Sequence, residues 1–313
     1  GIISAIAAVE TLRDEGIRLP FDVHVLGFSD EEGIRFHSTY LGSKSVAGLL
    51  DEDALAAVDS HGVTVAEAIE SEGIRDGVTP ILYQPGGIRG YIELHIEQGR
   101  VLESGNLALC AVSGISGQSR LVVDLTGRAD HAGTTPMHLR RDALTGAAEC
   151  ILAAESLAAE NPPLVITVGR IEVHPGASNS VPQNATFTVD LRHPEDSSRK
   201  QFLGKLHEIF QSIAEARGLD FNWSVAQDSD AVPCDAVLTS RLLDVLKTQT
   251  GTGICLASGA GHDAVVMSTL GPVAMIFVRC RDGLSHHPDE YASPEDIASG
   301  ITALVGFLKS FQN

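Results

Sequence analysis

Three adjacent carboxylates, Asp30, Glu31 and Glu32, stand in the stretch "GFSDEEGIRF". Like charges repel each other at this spacing, so the triplet needs a reason beyond solubility. One carboxylate could bind a divalent metal while its neighbour accepts a proton from water as a general base. A solvated loop could carry the same three letters, so the triplet alone leaves both interpretations open.

Imidazole groups occur near two further predicted strands. In "YIELHIEQG", apolar and polar residues alternate, which predicts a strand with His95 and the neighbouring Glu93 and Glu97 on one face. His286 follows another predicted strand. Open α/β sheets assemble sites at the carboxyl ends of their strands, so these groups could converge. Carboxylate and imidazole together are the ligand set of zinc or manganese.

Helices and strands alternate around these residues. The first sixteen residues have apolar side chains at helical spacing and end in Gly16, which predicts a helix. The run "FDVHVLGF" predicts a short strand. Thr64 and Glu67 have the spacing of a capping box. Ser293 before Pro294 predicts the start of a last helix.

The middle of the chain has a different predicted order of helices and strands. From residue 117, the predicted order is strand, helix, two strands, helix and strand, which is typical of a ferredoxin-like α+β unit. The simplest architecture is an α/β domain split by an inserted α+β domain. We therefore predict a first part over 1–116, an inserted domain over 117–226 and a second part over 227–313.

The amino-acid composition excludes some classes of binding partner. The chain of 313 residues carries 22 basic and 41 acidic residues, a net charge of −19 that repels nucleic acid and anionic membranes. Its five cysteines contain no CxxC pair, which predicts reduced thiols in the cytoplasm. An anionic small-molecule substrate would therefore need a local cationic site.

Several motifs together resemble a known family. "GFSDEEGIRF", "ELHIEQG", "HAGTTPM", "SNSVPQNATFTVDLR", "SGAGHDA" and "GLSHHPDE" occur in the order seen in the hydantoinase/carbamoylase branch of the dinuclear metallo-aminoacylase and carboxypeptidase clan. The resemblance implies an α/β dinuclear-metallopeptidase-like catalytic domain with an inserted ferredoxin-like lid that also forms a homodimer. It further implies two divalent ions, Mn²⁺ or Zn²⁺, in each complete subunit.

The resemblance also assigns roles to residues of the outer domain. Glu31 resembles the general base, and Glu32 and His286 resemble ligands of the first metal. His95 resembles the ligand of the second metal, where peptidase relatives use a carboxylate. His287 is interpreted as a bystander, because the family pattern places its ligand directly after "GLS".

In the inserted domain, the resemblance implies anion recognition. His131 resembles the histidine that reaches a neighbouring active site and stabilises the oxyanion. Asn179 and Arg192 match the pair that holds the substrate carboxylate, which suits the fork of an arginine. Gln118, and Gly261 of the outer domain, fall where the family contacts substrate. The two residues after Gly261 are assigned only to holding their loop.

The implied reaction is hydrolysis of a ureido or carbamoyl C–N bond next to a carboxylate. Runs such as "EEGIRFHSTYLGS" and "IFVRCRDGLSHHP" favour allantoate, cleaved to ureidoglycine, ammonia and CO₂. An N-carbamoyl-L-amino-acid hydrolase or a β-ureidopropionase is the alternative in the same class. A non-catalytic dimeric carboxylate-binding module is the alternative of another class, although binding alone needs no base such as Glu31.

One departure from the family concerns the beginning of the sequence. The family carries an upstream histidine and an aspartate that bridges both metals, and the resemblance places that aspartate directly before Gly1. We therefore expect that this chain, expressed by itself, binds fewer than two metals and has no measurable amidohydrolase activity.

Overall fold

The computed structural model describes residues 1–73 and 83–312, and the chain packs as two compact units. Unit 1 comprises Gly1–Ile115 and Pro233–Asn313, and unit 2 comprises Ser116–Val232. The predicted boundary after residue 226 falls inside a strand that continues to Ser229. Unit 2 therefore ends later than the sequence suggested.

The elements are named in chain order. The helices are α1 (Ile2–Asp14), α2 (Leu41–Ala47), α3 (Glu52–Ala56), α4 (Val65–Ser71), α5 (Val101–Ser104), α6 (Ala143–Ala159), α7 (Asp196–Ala216), α8 (Ala236–Thr250), α9 (Ala264–Met267) and α10 (Pro294–Lys309). The strands are β1 (Tyr91–Ile96), β2 (Leu109–Ile115), β3 (Gly117–Thr126), β4 (Asp130–His131), β5 (Val165–His174), β6 (Ser180–Val181), β7 (Asn184–His193), β8 (Asp220–Ser229), β9 (Val232–Pro233), β10 (Cys255–Ser258) and β11 (Val273–Val278).

The sheet of unit 1 runs in the order β1–β11–β2–β10. β1 pairs in parallel with β11, and His95 lies opposite Phe277 near the carboxyl ends of both strands. Apolar side chains of α1, α8 and α10 form one core with this sheet, including Ala8, Leu242 and Leu304. The sheet thus places His95 at the edge where the loops after β1 and β11 begin, and the α/β fold class is confirmed.

Local capping explains where the helices of unit 1 begin. Thr64 and Glu67 form the predicted capping box, because the Thr64 side chain accepts from the Glu67 backbone and Glu67 accepts in return from Thr64. Ser293 caps α10 by accepting from the Asp296 backbone N–H, with Pro294 as the first helical residue. Both predicted helix starts are confirmed, as is α1.

The strand predicted over "FDVHVLGF" is wrong. Residues 21–28 take part in no strand of the described structure. They line, together with β1, a cavity of about 630 Å³, and Val23 and Val25 are each 37% exposed. An extended segment becomes a strand only when a neighbour satisfies its backbone N–H and C=O groups, and no pattern within the segment itself can supply that neighbour.

All residues of unit 2 are described, and they form the predicted ferredoxin-like arrangement. Its four-stranded antiparallel sheet has the order β5–β7–β3–β8, and α6 and α7 pack on one face. Alternate residues of β3 and β7, such as Leu121 and Phe187, are buried beneath these helices. The other residues of both strands, including Gln118 and Arg192, therefore point to the opposite face of the sheet.

A buried arginine ties together one end of unit 2. The side chain of Arg199 is fully buried and donates to Asp196 at 3.0 Å and Asp230 at 3.1 Å. It also donates to Ser119 and Asp228. A guanidinium without water needs several acceptors, and this network supplies them.

Among the described residues, no helix combines the length and the apolar character that crossing a bilayer requires.

Replacing Arg199 with methionine should lower the free energy of unfolding of unit 2 by about 1–3 kcal/mol, because several carboxylates lose their counter-charge. Urea unfolding of the whole chain, followed by the fluorescence of its single tryptophan, Trp223 of β8, measures this loss. Arg170→Met is the matched control, since the Arg170–Glu172 pair is exposed on β5. Equal unfolding midpoints for both variants would contradict the prediction.

The same network predicts a pH dependence. Burial raises the pKa of Asp228, but hydrogen bonds from Ser119 and Arg199 outweigh it and hold that pKa below its ordinary value. Stability from this carboxylate is present above the ordinary aspartate pKa and is lost as the pH falls through the lower folded value. The difference between wild type and Arg199→Met should therefore shrink as the pH falls below about 4, the ordinary pKa of an aspartate.

Candidate active site

The acid triplet lies in a loop that is held by backbone hydrogen bonds between its two ends. The backbone N–H of Tyr40 donates to the carbonyl of Glu31 at 2.9 Å, and that of Gly42 donates to Ser29 at 3.0 Å. Asp30 and Tyr40 have φ angles of 49° and 63°, a conformation that is costly for residues other than glycine. The loop accepts this strain while presenting Glu31 and Glu32 at a fixed place.

Glu31 is half-buried in a strongly anionic environment. Burial raises its pKa to about 7, and the nearby carboxylates of Asp263, Glu32 and Glu93 act in the same direction, while His286 opposes them. A carboxyl with a pKa near 7 can both accept and return a proton at neutral pH. The sequence-predicted base therefore lies in surroundings that suit this chemistry.

Glu32 and His286, the two predicted ligands of the first metal, are neighbours. The Nε2 atom of His286 lies 3.2 Å from a carboxylate oxygen of Glu32. Gln98, which follows β1, donates to Ser285 at 2.8 Å and anchors the loop that carries His286. His287 instead accepts from the Asp289 backbone N–H at 3.1 Å within its own loop, in keeping with a bystander.

β1 contributes Glu93 and His95 from the same face of the strand. The carboxylate of Glu93 accepts from the Tyr91 hydroxyl at 3.0 Å and from the Ala264 backbone N–H at 3.1 Å. The ring of His95 packs edge-on against His262, with ring centres 4.7 Å apart. Burial raises the pKa of Glu93 to about 7 and lowers that of His262 to about 3.

Glu97 is not part of this face, although the alternating pattern predicted it there. β1 ends at Ile96, and the Glu97 side chain accepts from the backbone N–H groups of Val101 and Leu102 at the start of α5. The carboxylate therefore caps a helix, a role that the period-two pattern could not reveal.

Sequence reasoning missed Glu93, His262 and Asp263 as members of this cluster. Glu93 carried a signal, since it alternates with His95 along β1. His262 and Asp263 stand in "SGAGHDA", where the sequence suggested only a loop-holding role. Both are buried, and the pKa of Asp263 is raised by its burial.

The cluster fits a divalent metal on the chemistry of its donors. Four carboxylates, those of Glu31, Glu32, Glu93 and Asp263, act on one another in a partly buried space. Among the described residues, Asp263 Oδ1 is buried and has no hydrogen-bond partner. A polar atom left in this way costs free energy unless a cation or a proton meets it. Carboxylates beside imidazoles are suitable ligands for Zn²⁺ or Mn²⁺.

Unit 2 carries the residues predicted to bind an anion. Gln118 of β3 stands opposite Arg192 of β7. Asp190 lies between them, and its carboxylate receives the Arg192 guanidinium through two bonds of 2.8 Å and the Gln118 amide through one of 2.6 Å. Burial raises the pKa of Asp190, but the hydrogen bonds that Arg192 and Gln118 donate to its carboxylate outweigh this effect and hold that pKa below its usual range. Asp190 escaped the sequence analysis.

His131 and Asn179 lie together elsewhere in unit 2. β4 pairs with β6, and the backbone N–H of Ala132 donates to the Asn179 carbonyl at 3.0 Å. Both side chains are exposed, and His131 Nδ1 accepts from the Gly133 backbone N–H at 3.0 Å. The structure thus groups Gln118 with Arg192 and His131 with Asn179.

Comparison with known proteins identifies the family of this chain. The sequence profile of Peptidase family M20/M25/M40 matches residues 1–310. The chain belongs to this family. An allantoate deiminase of Arabidopsis thaliana is 40% identical over 343 residues, which cover 99% of this chain and 65% of the relative. An N-carbamoyl-L-amino-acid amidohydrolase of a Pseudomonas species is 37% identical over 311 residues, which cover 97% and 75%.

A solved structure agrees with this assignment. A hydantoinase/carbamoylase family amidase of Burkholderia multivorans matches with a TM-score of 0.93 and 32% identity, over 99% of this chain and 75% of the other. The family resemblance expected from the motifs is therefore confirmed. The chain spans 65% of the Arabidopsis relative and 75% of the other two proteins.

Gly261 of this M20 chain, predicted to contact substrate, is packed against the loop of the acid triplet. A Cβ atom at this position would lie 2.0 Å from the Tyr40 hydroxyl oxygen and 3.2 Å from the ring carbon that bears it. Only a residue without a side chain lets Tyr40 lie this close, so the glycine has a steric reason independent of any substrate.

Replacing Gly261 with alanine should therefore destabilise unit 1 by about 1–2 kcal/mol, because Tyr40 must move. Tyr40→Phe removes the overlapping oxygen and should recover most of that loss in the double variant. Chemical unfolding followed by circular dichroism of the four proteins gives the coupling energy. Strictly additive effects would show that the close approach does not constrain the loop.

Proposed function

We propose that this protein is a metal-dependent amidohydrolase that cleaves a ureido or carbamoyl C–N bond next to a carboxylate, with allantoate as the substrate. The observation that carries the proposal is the placement of Glu31, half-buried among other carboxylates, beside the Glu32–His286 pair. The 40% identity to an Arabidopsis allantoate deiminase supports the choice of substrate.

Glu32 and His286 would hold one divalent ion and His95 a second, either Mn²⁺ or Zn²⁺. Such ions supply Lewis acidity toward a carbonyl oxygen and make water a stronger acid. The crowded carboxylates favour this occupancy, because positive charge relieves their mutual repulsion.

Glu31 accepts the proton of the attacking water and returns it to the leaving nitrogen. This double role needs a group that is stable in both protonation states near neutral pH. Burial and the carboxylates around Glu31 adjust its pKa toward that range. A carboxyl at its ordinary pKa would be a poor acid in the second step.

The residues of unit 2 recognise the substrate. Arg192 binds its carboxylate, with Asn179 and Gln118 as hydrogen-bonding partners, and Asp190 fixes the orientation of the guanidinium. His131 stabilises the oxyanion, acting across a homodimer that forms through unit 2 as a lid. The five free thiols and the net charge of −19 favour a cytoplasmic protein that binds neither nucleic acid nor membranes.

Hydrolysis of N-carbamoyl-L-amino acids is a second candidate. It is favoured by the 37% identical amidohydrolase of Pseudomonas, and the same carboxylate recognition would serve it. A β-ureidopropionase would use the same groups. A non-catalytic carboxylate-binding module is disfavoured, because such a module would have no use for Glu31 in its present surroundings.

Glu31→Gln removes the proton acceptor and keeps the size of the side chain. In the complete natural polypeptide, the change should lower kcat by about two orders of magnitude or more, with the metal content near that of wild type. Glu32→Gln is the matched control at the next residue and should lose metal instead. Steady-state kinetics and metal analysis decide between these roles, and substantial activity in Glu31→Gln would overturn the assignment.

The substrate itself can be tested by comparing kcat/KM for allantoate with values for N-carbamoyl-L-amino acids and N-carbamoyl-β-alanine, with manganese supplied. Allantoate carries two ureido groups on one carbon, so its recognition needs polar partners on both sides. We expect allantoate to give the highest kcat/KM. A preference for N-carbamoyl-L-methionine or N-carbamoyl-β-alanine would refute allantoate and leave the reaction class intact.

A further inference from the structure

The loop that follows β4 carries His131, and an arginine at the far end of this loop holds the turn beside that histidine. Arg140 donates from Nε to the Thr135 carbonyl at 3.0 Å and from a terminal nitrogen to the Ala132 carbonyl at 2.6 Å. We propose that Arg140 is a positioning residue that keeps His131 a neutral hydrogen-bond donor, acting through the peptide group between Ala132 and Gly133. The inference rests on the oxyanion role proposed above for His131 and deepens it, because neither the motifs nor the relatives' names assign a part to Arg140.

The protonation state of the His131 ring follows from a single contact. Its Nδ1 lies 3.0 Å from the backbone nitrogen of Gly133, with the geometry of a hydrogen bond. A backbone N–H can only donate, so Nδ1 must accept and carries no hydrogen of its own. This contact excludes both the Nδ1–H tautomer and the imidazolium. The ring is therefore neutral, with its hydrogen on Nε2.

Arg140 acts on this contact through one rigid group. The Ala132 carbonyl that receives the guanidinium and the Gly133 N–H that meets His131 are opposite ends of the same peptide unit. Because this unit is planar and trans, the direction of its C=O fixes the direction of its N–H. A hydrogen bond at the carbonyl also polarises the unit and makes its N–H a stronger donor. Without Arg140, the peptide could rotate and release Nδ1 of His131.

Other hydrogen bonds hold the backbone of this turn without acting on that peptide. The Ala132 N–H donates to the Asn179 carbonyl at 3.0 Å, and the Thr135 N–H donates to the His131 carbonyl at 3.2 Å. β4 pairs with β6 at His131 itself. These contacts fix the place at which the His131 side chain begins. The contact between Arg140 and the Ala132 carbonyl is the one that fixes the peptide facing the ring.

A neutral donor suits the role proposed for His131. Its Nε2–H group lies across the ring from Nδ1 on an exposed side chain, where a substrate oxygen can accept from it. An imidazolium would also attract the substrate carboxylate before the reaction and would so stabilise the ground state. A neutral N–H gains most when negative charge develops on the carbonyl oxygen. Loss of Arg140 should therefore lower kcat more than it changes KM.

Nitrogen NMR of the histidine rings tests the tautomer without any substrate. In the whole chain labelled with ¹⁵N-histidine, ring nitrogens with and without a hydrogen differ widely in chemical shift, and the signals of His131 are those that His131→Gln lacks. We expect the Nε2–H tautomer in the wild type and an exchanging mixture of both tautomers in Arg140→Met. Arg141→Met is the matched control, because Arg141 donates instead to the Gly218 carbonyl and to Asp220. It should leave the His131 signals unchanged.

Steady-state kinetics of the complete natural polypeptide give the second readout. Arg140→Met should lower kcat by about 10-fold or more and leave KM nearly unchanged, because a misdirected donor loses mainly transition-state stabilisation. In a His131→Ala background, the same change should have little further effect on kcat. Arg141→Met should keep the kcat of the wild type.

An Nδ1–H ring in the wild type, or an unchanged tautomer in a folded Arg140→Met protein, would overturn the proposal. Fully additive losses of kcat in the double variant would do the same. If Arg140→Met does not fold, Arg140→Lys replaces it, because lysine keeps the charge and loses the fork that reaches both carbonyls. The expected tautomers in a complete polypeptide that hydrolyses no ureido or carbamoyl substrate would instead refute the proposed function and leave the positioning of His131 standing.

Discussion

Repulsion between carboxylates is the constraint on which unit 1 depends. Glu31, Glu93 and Asp263 each have a raised pKa, chiefly because they are buried, and neighbouring carboxylates raise the pKa values of Glu31 and Glu93 further. A fold would not gather these groups without a compensating benefit, since each could be solvated separately at lower free energy. The backbone accepts further cost to do so, with left-handed conformations at Asp30 and His286. Positive charge supplied by bound ions is the natural compensation.

In unit 2, by contrast, the buried charges are cationic and each is paired with carboxylates. Its buried guanidinium, Arg199, is surrounded by acceptors, and Arg192 is held by the carboxylate of Asp190. Such pairs fix side-chain direction more than they add stability, because desolvation offsets much of the attraction. The two units therefore differ in the charges that they gather. Unit 1 gathers carboxylates beside imidazoles, whereas unit 2 holds cationic and amide groups of the kind that recognise carboxylates.

The sequence predicted correctly those elements that depend on residues close together in the chain. The capping residues of α4 and α10 and the alternation of β1 appear in the structure, because each depends on neighbours in the sequence. The run at 21–28 had the composition of a strand but lacks the partner that pairing requires. The sequence did not predict Glu93, His262 and Asp190 as site residues for a similar reason. Their surroundings are formed largely by side chains that are distant in sequence. The roles of Glu31 and Glu32 came from family motifs, not from the triplet itself, which a solvated loop could share.

The Arg199 network has a consequence for how unit 2 is joined to the rest of the chain. A Cβ atom on Gly117 would lie 2.6 Å from Asp196 Oδ1 and 2.9 Å from the backbone nitrogen of Ala231. Asp196 also accepts a hydrogen bond from that nitrogen at 3.1 Å. The two ends of the inserted unit thus lie close together, because Gly117 and Ala231 both contact Asp196. The chain leaves and re-enters unit 1 at neighbouring points, although more than a hundred residues lie between them. Folding of the insert holds its two ends together, so unit 1 does not bear the entropy cost of closing a long flexible loop.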